Sequence, residues 1–372
     1  MRSHLEVYPC RLTALGPVFI GKGSELSKKE YLFLDGRKTA GVVDIEKLYG
    51  AAVRNGLGKH FETYMMDPRD KRNLGQWVRE EGLSGQEVRS CLKYAVDSRD
   101  TVIQRGTPVQ IVECIKDPYG LPYIPGSSIK GMLRTVLLAG RILKDPGKFD
   151  RDREQALKTV RNTYGKVKRT TFLQAERRSV EQNGFYSLNR NERRREDAVN
   201  DELSGMIVSD SRPLKLKDLV LCQKVEYHRD GAEKRLNLLR ECIRPGTAVE
   251  FTITIERDIC SVGKEEILRG IEAFNQVYYD CFLRAFRTAD RPLPGQVYLG
   301  GGTGFASKTV IYPLLGRIDG LDTVIDIFRN TGVPATHKHE KDRQYGVSPH
   351  ILKCTRFDGQ LMEMGKCRLE IL

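Results

Sequence analysis

The sequence predicts an α+β fold, a ferredoxin-like core enlarged by helical insertions and a C-terminal part. Three observations carry this. Runs suited to β-strands open and close the chain, at Leu5 to Thr13 and Cys367 to Leu372. Val249 to Ile255 alternates β-branched residues and reads as a strand between them. Two stretches of helical periodicity, starting near Ser127 and at Lys264, separate these strands. Strand, helix, strands, helix, strand is the order of a βαββαβ unit.

The elements follow in turn. After the first strand comes a glycine loop, Gly21-Lys22-Gly23-Ser24. Tyr31 to Leu34 and Gly41 to Val43 flank Asp35-Gly36, a strong hairpin dipeptide. From Asp44 to about Arg99 the pattern is helical, with Trp77, the single tryptophan, as a core anchor. Val109 to Ile115 is a short strand. In the next helix Ile129, Met132, Leu133, Val136 and Leu137 recur at helical spacing, with Ser127 as the expected N-cap. Residues 145–203 read as a basic insertion: from Arg151 to Asn200 there are 13 Lys/Arg and 7 Asp/Glu, so +6 of the total charge lies there. Few large apolar residues accompany it, and a mobile, exposed segment is expected. Met206 to Val208 resumes regular structure. Lys264 to Arg287 is the clearest helix, with Ile267, Ile271, Phe274 and Tyr278 on one face. The expected organisation is a core over 1–260 with insertions at about 44–105 and 145–203. Residues 261–372, carrying a helix, a glycine loop and the terminal strand, either complete that core or form a second unit of the same kind.

Composition narrows the function. The 372 residues exceed the usual single-domain size, so one elaborated domain or two packed ones is expected. With 62 Lys/Arg against 49 Asp/Glu, the net charge is +13, which attracts polyanions. No apolar run approaches the roughly 20 residues of a spanning helix, and Met1 to Cys10 lacks a signal-peptide layout, so no membrane role and a cytoplasmic location are expected. The nine cysteines are scattered singly without a CxxC pair, which argues against a zinc ribbon or dithiol site. A ferredoxin-like, RRM-like sheet with this charge suits RNA.

Four motifs could carry chemistry. Pro125 to Arg134 places Gly126-Ser127-Ser128 at a helix start, where free N–H groups and the dipole favour a phosphate. Lys130 and Arg134 stand one turn apart and could grip a nucleic-acid backbone. An ordinary capped helix with a solvated basic face explains the same residues. The second motif, Gly300 to Thr309, fails as a Walker A loop because Ser307 stands where Gly must precede the Lys. It fails as a dinucleotide fingerprint for the same residue. A loop allowing close backbone approach through Gly302 and Gly304 remains, with Lys308 for a phosphate. Lys22 and Gly23 form the third and weakest motif; three glycine loops, each with a nearby Lys, strengthen one another. The fourth is His337-x-His339 with His350 and Cys354 downstream. A metal would need three or four such ligands to converge. A ribonuclease could use His339 as general base with Lys341 stabilising charge. Pro334 and Ser348-Pro349 imply irregular backbone, where His satisfies loop carbonyls or touches phosphate. That reading is preferred: His339 and Lys341 are expected to contact RNA, and no metal, cofactor or catalytic residue is assigned.

Together these stretches bear a resemblance. Pro125-Gly-Ser-Ser-Ile-Lys-Gly-Met-Leu-Arg134 resembles the signature of the RAMP superfamily of CRISPR proteins. Leu12 to Leu34, Leu299 to Thr309, His337 to Asp342, Gly346 to Pro349 and Leu352-Lys353 resemble the fifth-subunit family of type III-A Csm complexes. The match spans nearly the whole chain; its C-terminal motifs are the most specific. Relatives often carry His where this chain has Phe19. The resemblance implies an RRM-like core similar to the backbone RAMP subunits. It implies a non-catalytic, RNA-binding role in antiviral defence: capping the crRNA 3′ region and enabling maturation of the crRNA intermediate. Implied partners are crRNA, the neighbouring backbone subunit and other Csm subunits, with target RNA and host 3′ exonucleases as further ones. A precursor-cleaving RAMP endoribonuclease is the alternative.

Overall fold

Alternation in the first strand sets the core. In β1 (Leu5–Ala14) Cys10, Leu12 and Ala14 are buried and Val7 is exposed, the two-residue period of a strand with one covered face. The computed structural model describes residues 4–102 and 109–372. After β1 come β2 (Gly21–Leu26), β3 (Tyr31–Leu34) and β4 (Thr39–Val43), then helices α1 (Ile45–Arg54), α2 (Gly58–Met66), α3 (Leu74–Glu80) and α4 (Gly85–Ser90). Next are β5 (Leu92–Asp97), β6 (Ile111–Cys114), α5 (Gly126–Lys144), α6 (Asp150–Arg161) and α7 (Gln174–Phe185). The chain continues through β7 (Met206–Val208), β8 (Leu219–His228), β9 (Glu233–Ile243), β10 (Ala248–Glu256), α8 (Lys264–Cys281) and β11 (Gln296–Tyr298). It ends with α9 (Ile311–Asn330), α10 (Asp342–Tyr345), β12 (Ile351–Phe357), β13 (Gln360–Glu363) and β14 (Lys366–Ile371).

One antiparallel sheet has the order β11-β14-β1-β10-β7. Along the chain, β1, α5, β7, β10, α8 and β14 trace the βαββαβ path of a ferredoxin-like unit. Helices α5 and α8 bury Leu133, Leu137, Ile267 and Ile271 in the main core. They cross closely because both carry glycine at the contact: a Cβ on Gly140 would stand 2.9 Å from Gly270 Cα. Residues 261–372 supply α8, β11 and β14 to this sheet.

A second sheet runs β2-β6-β9-β8-β5-β4-β3, with β12 paired to β8 and β13 to β12. Segment 44–99, read from sequence as helical throughout, ends instead in β5, which pairs with β4. Six alternating residues cannot be told from a helical turn until a partner strand is present. The last residues of the 44–105 insertion, 103–105, lie outside the described residues. Helices α1 to α4 pack a separate core around Trp77, which is fully buried and stacks on Tyr64 at 5.4 Å. Asp35-Gly36 joins β3 to β4 through a 3-10 turn with positive φ at both residues.

The 145–203 insertion departs from its expected mobility. It holds α6 and α7, docked by Ala156, Val160, Val180 and Phe185. Buried Asp152 accepts hydrogen bonds from Ser179 and Asn183, tying the two helices together. Four apolar side chains at helical spacing suffice to dock a segment whose charges stay in water.

Candidate nucleic-acid interface

At the start of α5 the expected anion site is already filled from within. The helix begins at Gly126, with Pro125 as N-cap; Ser127 is exposed and makes no capping bond. Asp210 Oδ1, just beyond β7, accepts from Gly126 N at 2.7 Å, so a carboxylate of the chain itself occupies the positive helix end. Lys130 Nζ donates to the carbonyls of Leu203 and Met206, both at 2.7 Å, and burial pushes its pKa down. Arg134 pairs with Asp201 at 2.7 Å and Glu181 at 3.0 Å, and lies over the Phe185 ring. Lys130 and Arg134, expected from their spacing to grip a phosphate backbone, have internal partners instead: their donors hold α5 to the insertion and to β7. The spacing showed two cations on one face but not the carboxylates folded against them.

The glycine loop is different. Gly301 N donates to Phe19 O at 2.7 Å, fixing the loop to the segment before β2. Gly302 has φ +87°, and a Cβ there would stand 2.5 Å from Arg240 Nη1, so only glycine leaves room for that guanidinium. Arg240, from β9, lies over the Phe19 ring at 5.1 Å, and its Nε is buried without a partner. Lys308 remains solvent-accessible in a concave surround; burial, and then the Arg240 charge, lower its pKa. No carboxylate pairs with either cation among the described residues. Two like charges held together without a counter-ion are an anion site in electrostatic terms.

Around Lys308 the sequence-predicted loops converge. Ile20 and Gly21, Ser128 and Gly131 of α5, and Gly300, Gly301 and Lys308 line one cavity of about 450 Å³. Lys22 and Gly23 sit beside it on β2; Lys22 is exposed and 3.5 Å from Glu113. Gly304, with φ +99°, approaches the stem of Lys353. Lys353 itself is spent: with Lys224 it clamps buried Glu226, and the two ammoniums outweigh burial to hold that carboxyl at about 2.

A profile of the RAMP superfamily matches residues 11–288. The chain belongs to that superfamily. Within it, the chain is 30% identical to the CRISPR system protein Csm5 of Mycobacterium tuberculosis over all of its own length and 99% of the relative's. Csm5 of Streptococcus thermophilus is 26% identical over 83% of this chain and 82% of the relative. Among solved structures, a chain of a Csm–crRNA–target RNA ternary complex of a type III-A system aligns with TM-score 0.62. It is 19% identical and covers 98% of this chain and 100% of its own. The crystal structure of Csm5 from T. onnurineus aligns at 0.59, 20% identical, over 96% and 99%. The protein is thus a RAMP subunit of the Csm5 type, with the fold of that family.

The C-terminal histidines His339 and His350 are packed into the fold. Asp342, fully buried, accepts from Ser348 Oγ at 2.6 Å and contacts His339 Nδ1 at 3.0 Å and His350 Nδ1. Burial opposes ionisation of Asp342, but these partners outweigh it and lower its pKa. The donor atoms of His339, Asp342 and His350 lie within 4.8 Å of one another, the one group among the described residues that could hold a metal ion. Only 13% of the His339 side chain is exposed and its ring sits against Phe328, while Lys341 is exposed. No helix among the described residues is long and apolar enough to cross a membrane. Sequence reasoning missed Arg240 and Phe19 as site residues. Arg240 alternates along β9 like any strand arginine, and only the loop packed over it marks it out.

Proposed function

We propose that this protein is the RNA-binding subunit that caps the crRNA 3′ region in a type III-A Csm complex, and that it enables maturation of the crRNA intermediate. The observation that supports it most is the pairing of Lys308, which lines a cavity rimmed by the glycine loop and α5, with Arg240 beneath that loop, neither cation meeting a carboxylate among the described residues. Cations and backbone amides of this kind bind a sugar–phosphate backbone without reading bases. Lys22, Ser128 and the amides of Gly302 and Gly304 extend the same surface. The partners are crRNA, a neighbouring backbone RAMP subunit and other Csm subunits. Similarity in fold to a chain of a Csm–crRNA–target RNA ternary complex favours this. The subunit acts in the cytoplasm and has no nuclease chemistry of its own, so host 3′ exonucleases trim the RNA. Tagged protein is purified from its native cell and the bound RNA sequenced at both ends. Processed crRNA with other Csm subunits, and longer intermediates when the subunit is deleted, is the expected result. RNA of random sequence would sink the proposal.

A further inference from the structure

A second cavity, of about 460 Å³, opens between α5, the α6–α7 insertion and α9. Its size falls in the small-molecule range of roughly 300–1,000 Å³. Leu138, Phe172, Phe305 and Leu314 form apolar walls, and both phenylalanines are only half-buried. Thr309 also lines it, and Thr309 Oγ1 is buried with no hydrogen-bond partner. A buried unpaired hydroxyl calls for a polar ligand atom, which a purely apolar occupant would not supply. Lys308 lines this cavity and the glycine-loop cavity alike, so the two adjoin at that residue. Arg169 and Arg177 stand exposed at the rim. The acids there are engaged: Glu176 accepts from Thr159 at 2.6 Å and Glu181 from Arg134 at 3.0 Å.

We propose that this cavity takes one unstacked nucleobase of the strand whose phosphate lies at Lys308. The inference rests on the RNA-binding reading above. A base offers an apolar face to Phe172 and Phe305 and a polar edge to Thr309, the combination the walls require. Stacking on aromatic side chains tolerates any base, so the site fixes a position along the strand rather than a sequence. The basic insertion contributes Phe172, Arg169 and Arg177, which gives it a role in holding the strand.

The test uses the full chain and a bound RNA oligonucleotide carrying an abasic residue at each position in turn. At one position, removal of the base weakens binding roughly tenfold, in line with aromatic–base stacking; elsewhere it changes little. A 2-aminopurine at that position is quenched on binding, and Thr309→Val reduces the position's abasic penalty. Equal affinity for every abasic oligonucleotide, with tight binding of the intact RNA, overturns the base pocket and leaves the RNA-binding reading standing. Absence of binding to any RNA overturns both. The abasic series uses unaltered protein, so folding of a variant does not confound it.

Discussion

Lys130 and Arg134 form one pair of cations, Arg240 and Lys308 another, and the two pairs have opposite fates. The first is one helical turn apart and conspicuous, yet its donors end on Leu203, Met206, Asp201 and Glu181. The second is 68 residues apart, invisible as a pair, and meets no carboxylate among the described residues. A cation's value for binding depends on what the fold has already placed beside it. Charges that face internal acids hold the protein together, and charges the fold leaves uncompensated bind something else.

That contrast can be broken by mutation. Arg240→Ala with Lys308→Ala should weaken RNA binding about 100-fold, taking each charged hydrogen bond as about 1.5 kcal/mol. The melting temperature should not fall, because no internal partner loses its counter-ion. The log–log salt slope should become shallower by about 1.4, at ~0.7 per lost phosphate contact on a single strand; filter binding at several salt concentrations checks both. Arg134→Ala should do the reverse. Asp201 and Glu181 lose their partner, and stability should drop by about 2 kcal/mol in denaturant titration, with RNA affinity per folded molecule unchanged. If Arg134→Ala cost affinity and not stability, the contrast would be wrong.

Smaller effects sharpen it. Burial and the neighbouring His350 lower the pKa of His228; burial and His339 lower that of His337. Both therefore bind fewer protons folded than unfolded. Their contribution is fully present above the unfolded value near 6.5 and is lost as pH falls toward the folded values. Melting temperature should decline from pH 7.5 to 5.5, and His228→Gln with His337→Gln should flatten that slope. Lys22→Ala is expected to be the mildest change, twofold to threefold in affinity at about 0.5 kcal/mol, since the side chain is exposed and shared with Glu113.

Reading of the sequence went furthest where periodicity was long. Val249 to Ile255 stands as expected, and the helix from Lys264 does as far as Cys281, short of the expected Arg287, because seven alternating residues or five helical turns have one amphipathic solution. It failed at Leu92 to Asp97, a strand defined by β4 beside it, and across 145–203, where high charge concealed the few residues that dock α6 and α7. Among site residues the loops were legible and their partners were not. Gly302 and Gly304 mark tight backbone by composition alone, while Arg240 is one of many arginines until Gly302 makes room for it.

The sequence by itself determined the βαββαβ order, the excess of positive charge and the glycine loops, since each is written in local pattern or composition. Tertiary structure decided which cations remain free. Asp210 reaches the α5 N-terminus across 84 residues, and Asp201 reaches Arg134 across 67. Electrostatic pairing acts through a few ångströms of space, and the chain brings such partners together only when it folds.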